Sequence, residues 1–476
     1  MKKLTVWAML AMLVIAGSAF AAPNAGRIAA NATFDDGGPA TTNNDDSCDI
    51  SVAPAATLLL PYFEVDLDNP AGETTLFTIT NTSNEDQIAH VTLWTDYSFP
   101  VIDFNIYLTG YDVQSINLFD IIERGLIAPD AGTGTDITDR GEFSDTNADL
   151  ALGACDRLPG QLDDAYIVRM QSAFTEGTVP DLGTLPGCND VGGEHDNAVG
   201  YVTIDVADLC STSLPTDPGY FTTEIRFDNV LIGDYQQVHS AEDFAQGNPM
   251  VHIRAIPEGG EPGEPAIINF DRTFYSRYQG GDVLDRRQPL PSIFAARWIE
   301  GGVGQFETFF KIWREGQTDF ADADTCGEWD NNITSVAELV TFDEAENAVG
   351  DVPESRVSPP ITTEFTLPET SLTDVGDASL YPQPDNGAIA GWIYLNLDND
   401  EFDGIASQNW VVVSMRAEGR YSVDFDAAWL ANGCTPEEPV SEVTTGTEDV
   451  DIIGPGVAET PADQSPNFNP DDPDLP

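Results

Sequence analysis

The sequence predicts an all-β protein, and three observations carry that reading. Short runs rich in Val, Ile, Thr and aromatic residues recur from Thr57 onward, bounded by Gly, Pro, Asn and Asp. Within several of them apolar and polar residues alternate with period two, as a half-buried strand requires. Six cysteines follow a secretory-type leader, the pattern of an exported chain stapled by disulfides. The architecture expected is an immunoglobulin-like β-sandwich followed by a larger disulfide-linked β-sandwich region and a disordered acidic tail.

Residues 1–21 read as a signal peptide. Lys2 and Lys3 give a positive start, Leu4 to Ala16 an apolar stretch short for a membrane span, and Ala19-Phe20-Ala21 a cleavage pattern. The destination expected is secreted, periplasmic or cell-surface. Residues 22–51, with few large apolar side chains, predict a flexible leader.

Residues 52–128 carry the first sandwich. Strands are expected at Thr57–Phe63, Thr75–Thr80, His90–Thr95, Phe104–Leu108 and Val113–Leu118, with one helical turn over Phe119–Arg124. The polar Asn81–Asp86 segment has hairpin length, so the second and third strands are expected to pair. The size and spacing suit an immunoglobulin-like sandwich, although the Cys, Trp, Cys spacing of true immunoglobulin domains is missing.

Residues 129–163 are dominated by Asp, Gly, Thr and Ala and predict a linker or long loop. Residues 164–435 form the larger β region, with strands at Gly200–Asp205, Pro249–Ala255, Ile267–Phe270, Thr273–Tyr278, Phe306–Trp313, Gly391–Asn396 and Val411–Ala417. Twice a Gly-aromatic strand precedes an apolar strand ending in Arg-Ala, at 200–255 and 391–417, which suggests two related β units. Residues 436–476 hold eleven acidic residues and eight prolines and read as the acidic tail.

Charge narrows the partners. The chain has 81 Asp and Glu against 19 Lys and Arg, a formal net charge of −62. Nucleic acid and anionic lipid would be repelled; a protein or glycan ligand suits this surface. Lys311 is the one lysine beyond Lys3, and the Asp-rich surface suits a saline extracellular setting.

Chemistry-bearing patterns are sparse. No G-x-S-x-G, H-E-x-x-H, P-loop or G-x-G-x-x-G motif is present, and the four histidines, His90, His195, His239 and His252, are scattered. His252, between Val251 and Ile253 in a strand and facing opposite to them, reads as a surface or hydrogen-bonded sheet residue, and His90 likewise. Glu300, beside Trp298 and ahead of Gly301-Gly302, is the foremost acid-next-to-aromatic candidate, or else a rim carboxylate at a turn. The later tryptophans, Trp298, Trp313, Trp329, Trp392, Trp410 and Trp429, are read as core before glycan platform.

Calcium is the best-supported small ligand, because hard cations want several oxygen donors on one loop. The candidate ligands are Asp398, Asp400 and Asp403 ahead of Gly404, and Asp319, Asp322 and Asp324 ahead of Gly327; neither loop matches an EF-hand. Six cysteines allow fifteen pairings. The pairs expected are Cys155 with Cys188, closing a Gly- and Asp-rich loop, and Cys326 with Cys434, leaving Cys48 for Cys210.

Leu108-Thr-Gly-Tyr-Asp-Val-Gln114 and Asn248-Pro-Met-Val-His-Ile-Arg-Ala255 resemble segments of exported bacterial proteins that have no assigned activity. The resemblance extends over about half of the chain and implies no catalytic residue. The functional expectation is a non-enzymatic binding or structural protein, with adhesion one such role and calcium a possible stabiliser. The alternative is a secreted polysaccharide hydrolase working through paired carboxylates.

Overall fold

A computed structural model describes residues 50, 52–126, 143–144, 146–147, 155–156, 162, 164–183, 187–208, 213–217, 219–255, 273–278, 285–316, 333–336, 338–345, 347–349, 366–381, 387–399, 407–417 and 421–430. The chain is predominantly β, and its antiparallel sheets form two sandwiches. The segments expected to be the signal peptide, most of the leader and the acidic tail lie outside the described residues. Among the described residues no helix is long and apolar enough to cross a membrane.

The first sandwich is built from β1 (Thr57–Val65), β2 (Glu73–Asn81), β3 (Gln87–Thr95), β4 (Pro100–Leu108) and β5 (Val113–Asn117), then helix α1 (Leu118–Ile122) and the short β6 (Phe143–Ser144); β7 (Thr146–Asn147) and β8 (Cys155–Asp156) pair with each other in a separate two-stranded sheet. Helix α2 (Asp164–Thr175) follows, then β9 (Ala198–Ala207), β10 (Leu231–His239), β11 (Phe244–Pro249) and β12 (Val251–Ile253). One sheet has the order β12-β1-β9-β3-β4-β6 and faces a second of order β11-β10-β2-β5. Leu58, Leu60, Val91, Leu93, Val202 and Ile204 of the first meet Phe77, Ile79 and Tyr235 of the second in a common core.

The strands fall where the period places them, but their partners differ from the expected hairpin. β2 pairs with β5 and β10, while β3 pairs with β4 and β9, so Asn81–Asp86 carries the chain from one sheet to the other. Asn81 fixes that crossing: its Nδ2 donates to the carbonyls of Glu85 and Thr109, and its Oδ1 accepts from Ser83. The reason lies in burial. β2 alternates buried and half-buried residues, as a strand with one wet face does. All nine residues of β3 and all ten of β9 are buried, which only a central strand covered on both faces allows.

This completes the sandwich with strands from 198–253, beyond the 52–128 segment. Helix α2, where β structure was expected, buries Met170, Ala173 and Phe174, three and four residues apart on one face. Phe174 meets Phe63 edge to face at 5.4 Å.

The second sandwich is built from β13 (Ile293–Ile299), β14 (Phe306–Arg314), β15 (Thr334–Ser335), β16 (Glu338–Asp343), β17 (Ala348–Val349), β18 (Thr366–Leu367), β19 (Thr370–Asp374), β20 (Ala390–Asn396), β21 (Asn409–Ala417), β22 (Tyr421–Asp426) and β23 (Ala428–Trp429). A sheet of order β17-β16-β20-β13-β23 packs on one of order β19-β14-β21-β22, while β15 and β18 pair with each other in a separate two-stranded sheet. The proposed repeat does not match this topology. β9 and β12 share a sheet and both flank β1, whereas β20 and β21 lie in different sheets. Thr273–Tyr278 is no strand but a turn ending in a 3-10 helix, because Tyr275 N–H is tied to Asp285 and its ring belongs to an aromatic cluster. Ile267–Phe270 lies outside the described residues.

The two sandwiches share buried surface. One apolar cluster runs from Leu59, Trp94, Tyr201 and Ile253 on the outer face of the six-stranded sheet into Phe310, Ile312 and Val411. Pro61 sits at a bulge in β1, where its missing N–H breaks no ladder bond, and its carbonyl accepts from Thr370 Oγ1 at 2.5 Å.

Candidate functional site

Two places carry the candidate site residues: the junction between the sandwiches and the free end of the second one.

At the junction, period two sends Thr57, Thr203 and Asp205 to the outer face of the first sandwich, and the second sandwich covers them. Asp205 is met by Arg287 at 3.0 Å, with Thr57 and Tyr220 also bonded to it and Tyr275 completing the set at 2.7 Å. Asp285 holds Arg287 from the other side at 2.9 Å. Burial works against the Arg287 charge, but Asp205 and Asp285 outweigh it and keep the guanidinium protonated. Tyr220 and Tyr275 are pushed up, first by burial and then by Asp205.

Nearby, Arg277 and Glu369 form a second buried pair at 2.6 Å, with Tyr201 donating to Glu369 at 3.1 Å. Ser98, held at φ 64 in the left-handed region, bonds Tyr201. These groups border a cavity of about 10 Å³ lined by Trp94, Tyr201, Thr203, Phe274, Arg277 and Trp313, room for a single water and too small for a substrate. Asp205, Asp285 and one oxygen of Glu369 are bonded to arginines and hydroxyls, so the junction ties the two sandwiches together.

The free end carries the sequence's foremost acid. Gly301 and Gly302, both at φ 73, turn β13 into β14 and present Val303, which is fully exposed. Phe306, Ile389, Tyr421 and Val423 are exposed as well. Register places Phe306, Ala417 and Tyr421 in one row across three strands. Ile389 abuts the turn, since a Cβ on Gly302 would lie 3.2 Å from its side chain.

Glu300 closes this end, its Oε1 accepting from Thr308 N–H at 2.7 Å. Burial pushes its carboxyl up to about 7; the Thr308 N–H opposes that rise, while Asp374 and Glu307 add to it. The neighbouring Trp298 offers no platform: it is buried and donates to the Phe342 carbonyl at 3.2 Å. Trp313 and Trp410 are core as well, and Trp392 is half-buried and stacked on Phe342 at 4.3 Å. Trp329 lies outside the described residues.

The histidines serve the fold. His252 is buried, not on the surface: Leu58, its register partner, points into the first core, and His252 with it. Nε2 accepts from Gly233 N–H at 3.2 Å and Nδ1 bonds Met250 O at 2.7 Å, which fixes the tautomer with the proton on Nδ1. His90 is likewise buried, against Asn105 at 3.1 Å. His195 is bonded to Asp96 at 3.0 Å; burial lowers its pKa but Asp96 outweighs this and raises it.

Of the proposed calcium ligands, Asp398 is described. Its Oδ1 accepts from Asn399 N–H at 2.8 Å and Ser407 N–H at 2.7 Å, pinning the base of the loop. Asp400, Asp403, Asp319, Asp322 and Asp324 lie outside the described residues, within which no group of three metal-ligating side chains gathers. Among the described residues no cysteine is free. Cys188 packs beside Val179 and Val191; Cys48, Cys210, Cys326 and Cys434 lie outside the described residues, as does the side chain of Cys155.

No protein-family model, curated protein or solved structure matches this chain.

Proposed function

We propose that the protein is a secreted, non-enzymatic binding or structural protein of the cell envelope or extracellular space. The two sandwiches, the first of them immunoglobulin-like in architecture, act as one bolted body, and the free end of the second meets the partner. The observation that carries this reading is the exposed apolar group Val303, Phe306, Ile389, Tyr421 and Val423 beside Glu300, Glu307 and Asp374. Clustered apolar side chains rimmed by charge suit a recognition surface better than a reaction. The acidic surface favours a protein ligand presenting basic groups around an apolar centre, and a glycan stacking on Tyr421 is the other ligand class.

The signal-like pattern of residues 1–21 supports the location, and pairing of Cys155 with Cys188 agrees with Cys188 not being free. Calcium at the 398–403 or 319–324 loop would act as a stabiliser, its donors being carboxylates.

The hydrolase reading draws on one observation, the raised pKa of Glu300 beside Asp374. One experiment separates the two. The mature protein is screened on glycan arrays, on immobilised basic proteins and for polysaccharide hydrolysis, with and without EDTA, beside Val303→Asp, Tyr421→Ala and Glu300→Gln. Binding lost in the first two variants while they remain folded supports the proposal; polysaccharide turnover abolished by Glu300→Gln overturns it.

A further inference from the structure

The chain keeps one lysine beyond position 3, and does not spend it on the surface. Lys311 lies in the middle of β14, fully buried. Neighbouring Phe310 and Ile312 point into the second core, so period two turns Lys311 to the opposite face, toward the first sandwich. Its Nζ is 2.5 Å from Oδ2 of Asp424 on β22, whose side chain is equally closed to solvent, and the two side chains meet across the intervening β21. The ring of Tyr235, from the first sandwich, covers Nζ at 5.5 Å.

Three features set this pair apart from an ordinary ion pair. The second oxygen of Asp424 is buried without a hydrogen-bond partner, as is Oε1 of Glu73 at the start of β2. Burial lowers the basicity of Lys311, and although Asp424 opposes this the net direction is down, with Arg416 contributing. Burial, then Glu64, raises the Glu73 carboxyl toward its protonated form. A dry interior therefore favours the neutral amine of Lys311, the form that can attack a carboxyl carbon.

We propose that Lys311 and Asp424 join in an intramolecular isopeptide bond, with Glu73 as the acid that assists it. Within the pair a proton passes from the Lys311 ammonium to the Asp424 carboxylate, and Nζ of the amine so formed adds to Cγ of Asp424. A new N–C bond forms, one C–O bond breaks, and the departing hydroxyl leaves as water with a proton from the amine, relayed through Glu73. No oxidant or reductant is needed. Fixed proximity replaces the activation that amide formation needs in free solution, and exclusion of water keeps the product from reverting. The link would tie β14 to β22 at the face where the two sandwiches meet. It stands independently of the reading of the free end.

Mass spectrometry decides it. The reduced, denatured mature protein is expected to weigh less than its sequence by one water, and trypsin should fail to cut after Lys311 and release one branched peptide joining the β14 and β22 segments. Lys311→Arg and Asp424→Ala should restore the sequence mass, and Glu73→Gln should do so while circular dichroism shows the fold intact. Wild-type protein with its full sequence mass and complete cleavage after Lys311 overturns the proposal, whatever the variants do.

Discussion

Arg277 and Glu369 meet at 2.6 Å with side chains 3% and 0% exposed, and their ion pair sits where the two sandwiches join. Glu369 N–H also donates to the Asp96 carbonyl of the first sandwich, so one residue bonds across the junction through both backbone and side chain. Removing one member strands the other charge in an interior that cannot solvate it. Glu369→Gln or Arg277→Ala is expected to destabilise the protein by about 3–5 kcal/mol, measured by denaturant titration. The double change Arg277→Met with Glu369→Leu should lose much less, because no unpaired charge remains. Equal losses in single and double variants would show that packing, not charge, dominates there.

His252 makes a pH prediction with a definite sign. Burial holds its folded-state pKa at about 4, below the ordinary 6.5. Between these values the unfolded chain takes up a proton that the folded chain refuses, so this site is neutral in effect above 6.5 and destabilising as pH falls toward 4. The full difference is about 3 kcal/mol. His252→Gln should reduce the slope of stability against pH between about 5 and 6 by close to one proton. Urea titrations of both proteins across that range check it, and parallel slopes would refute the buried-neutral assignment.

Gly391 is required by contact alone. A Cβ there would lie 1.8 Å from the Phe342 carbonyl, which also receives the Trp298 indole. Gly391→Ala must push β20 away from β16 and is expected to cost about 3 kcal/mol, read as a lowered thermal midpoint together with a shift in tryptophan emission.

How much of this was legible follows from what a local pattern contains. Val91, Leu93 and Thr92, Trp94 showed their alternation plainly, and β3 is where that alternation put it. The pattern could not show that Thr92 and Trp94 would be covered too, because the cover comes from residues two hundred positions away. Of the two readings of His252, surface or hydrogen-bonded sheet residue, the second holds, and its burial is what the same gap concealed. The hairpin between β2 and β3 failed because a polar turn of the right length serves equally to change sheets, and the choice is made by the full burial of β3. Glu300 was visible as an acid beside Trp298 and two glycines; its raised pKa was not, since that comes from packing at the sheet end. Lys311 stood out as a lone lysine, but only the register of β14 placed it against Asp424.

Salt should stabilise this protein. With a net charge of −62 the folded state repels itself more than the expanded chain does. Raising NaCl from about 10 mM to about 1 M shortens the screening length from roughly 30 Å to roughly 3 Å, and the thermal midpoint is expected to climb across that range. A midpoint that falls with salt would mean that surface ion pairs such as Arg226 with Asp208 outweigh the repulsion.

Glu300 gives the opposite pH behaviour to His252. Its carboxyl is raised from 4.5 to about 7. A protonated Glu300 therefore favours the folded state, and this advantage is complete below pH 4.5 and disappears as pH rises through 7. Above that, folding must hold a charged carboxylate near Asp374 and Glu307. Glu300→Gln keeps an oxygen for the Thr308 N–H while removing the charge. The variant should match the wild type below pH 4.5 and exceed it in thermal midpoint at pH 8, with the gap opening between. Because the group is partly exposed, solvent screening keeps the gap small, so differential scanning calorimetry of the two proteins in the same buffers is the measurement. A variant less stable than the wild type at pH 8 would mean that the charged carboxylate is held by a favourable partner at the free end, and the apolar surface there would have to be redrawn around it.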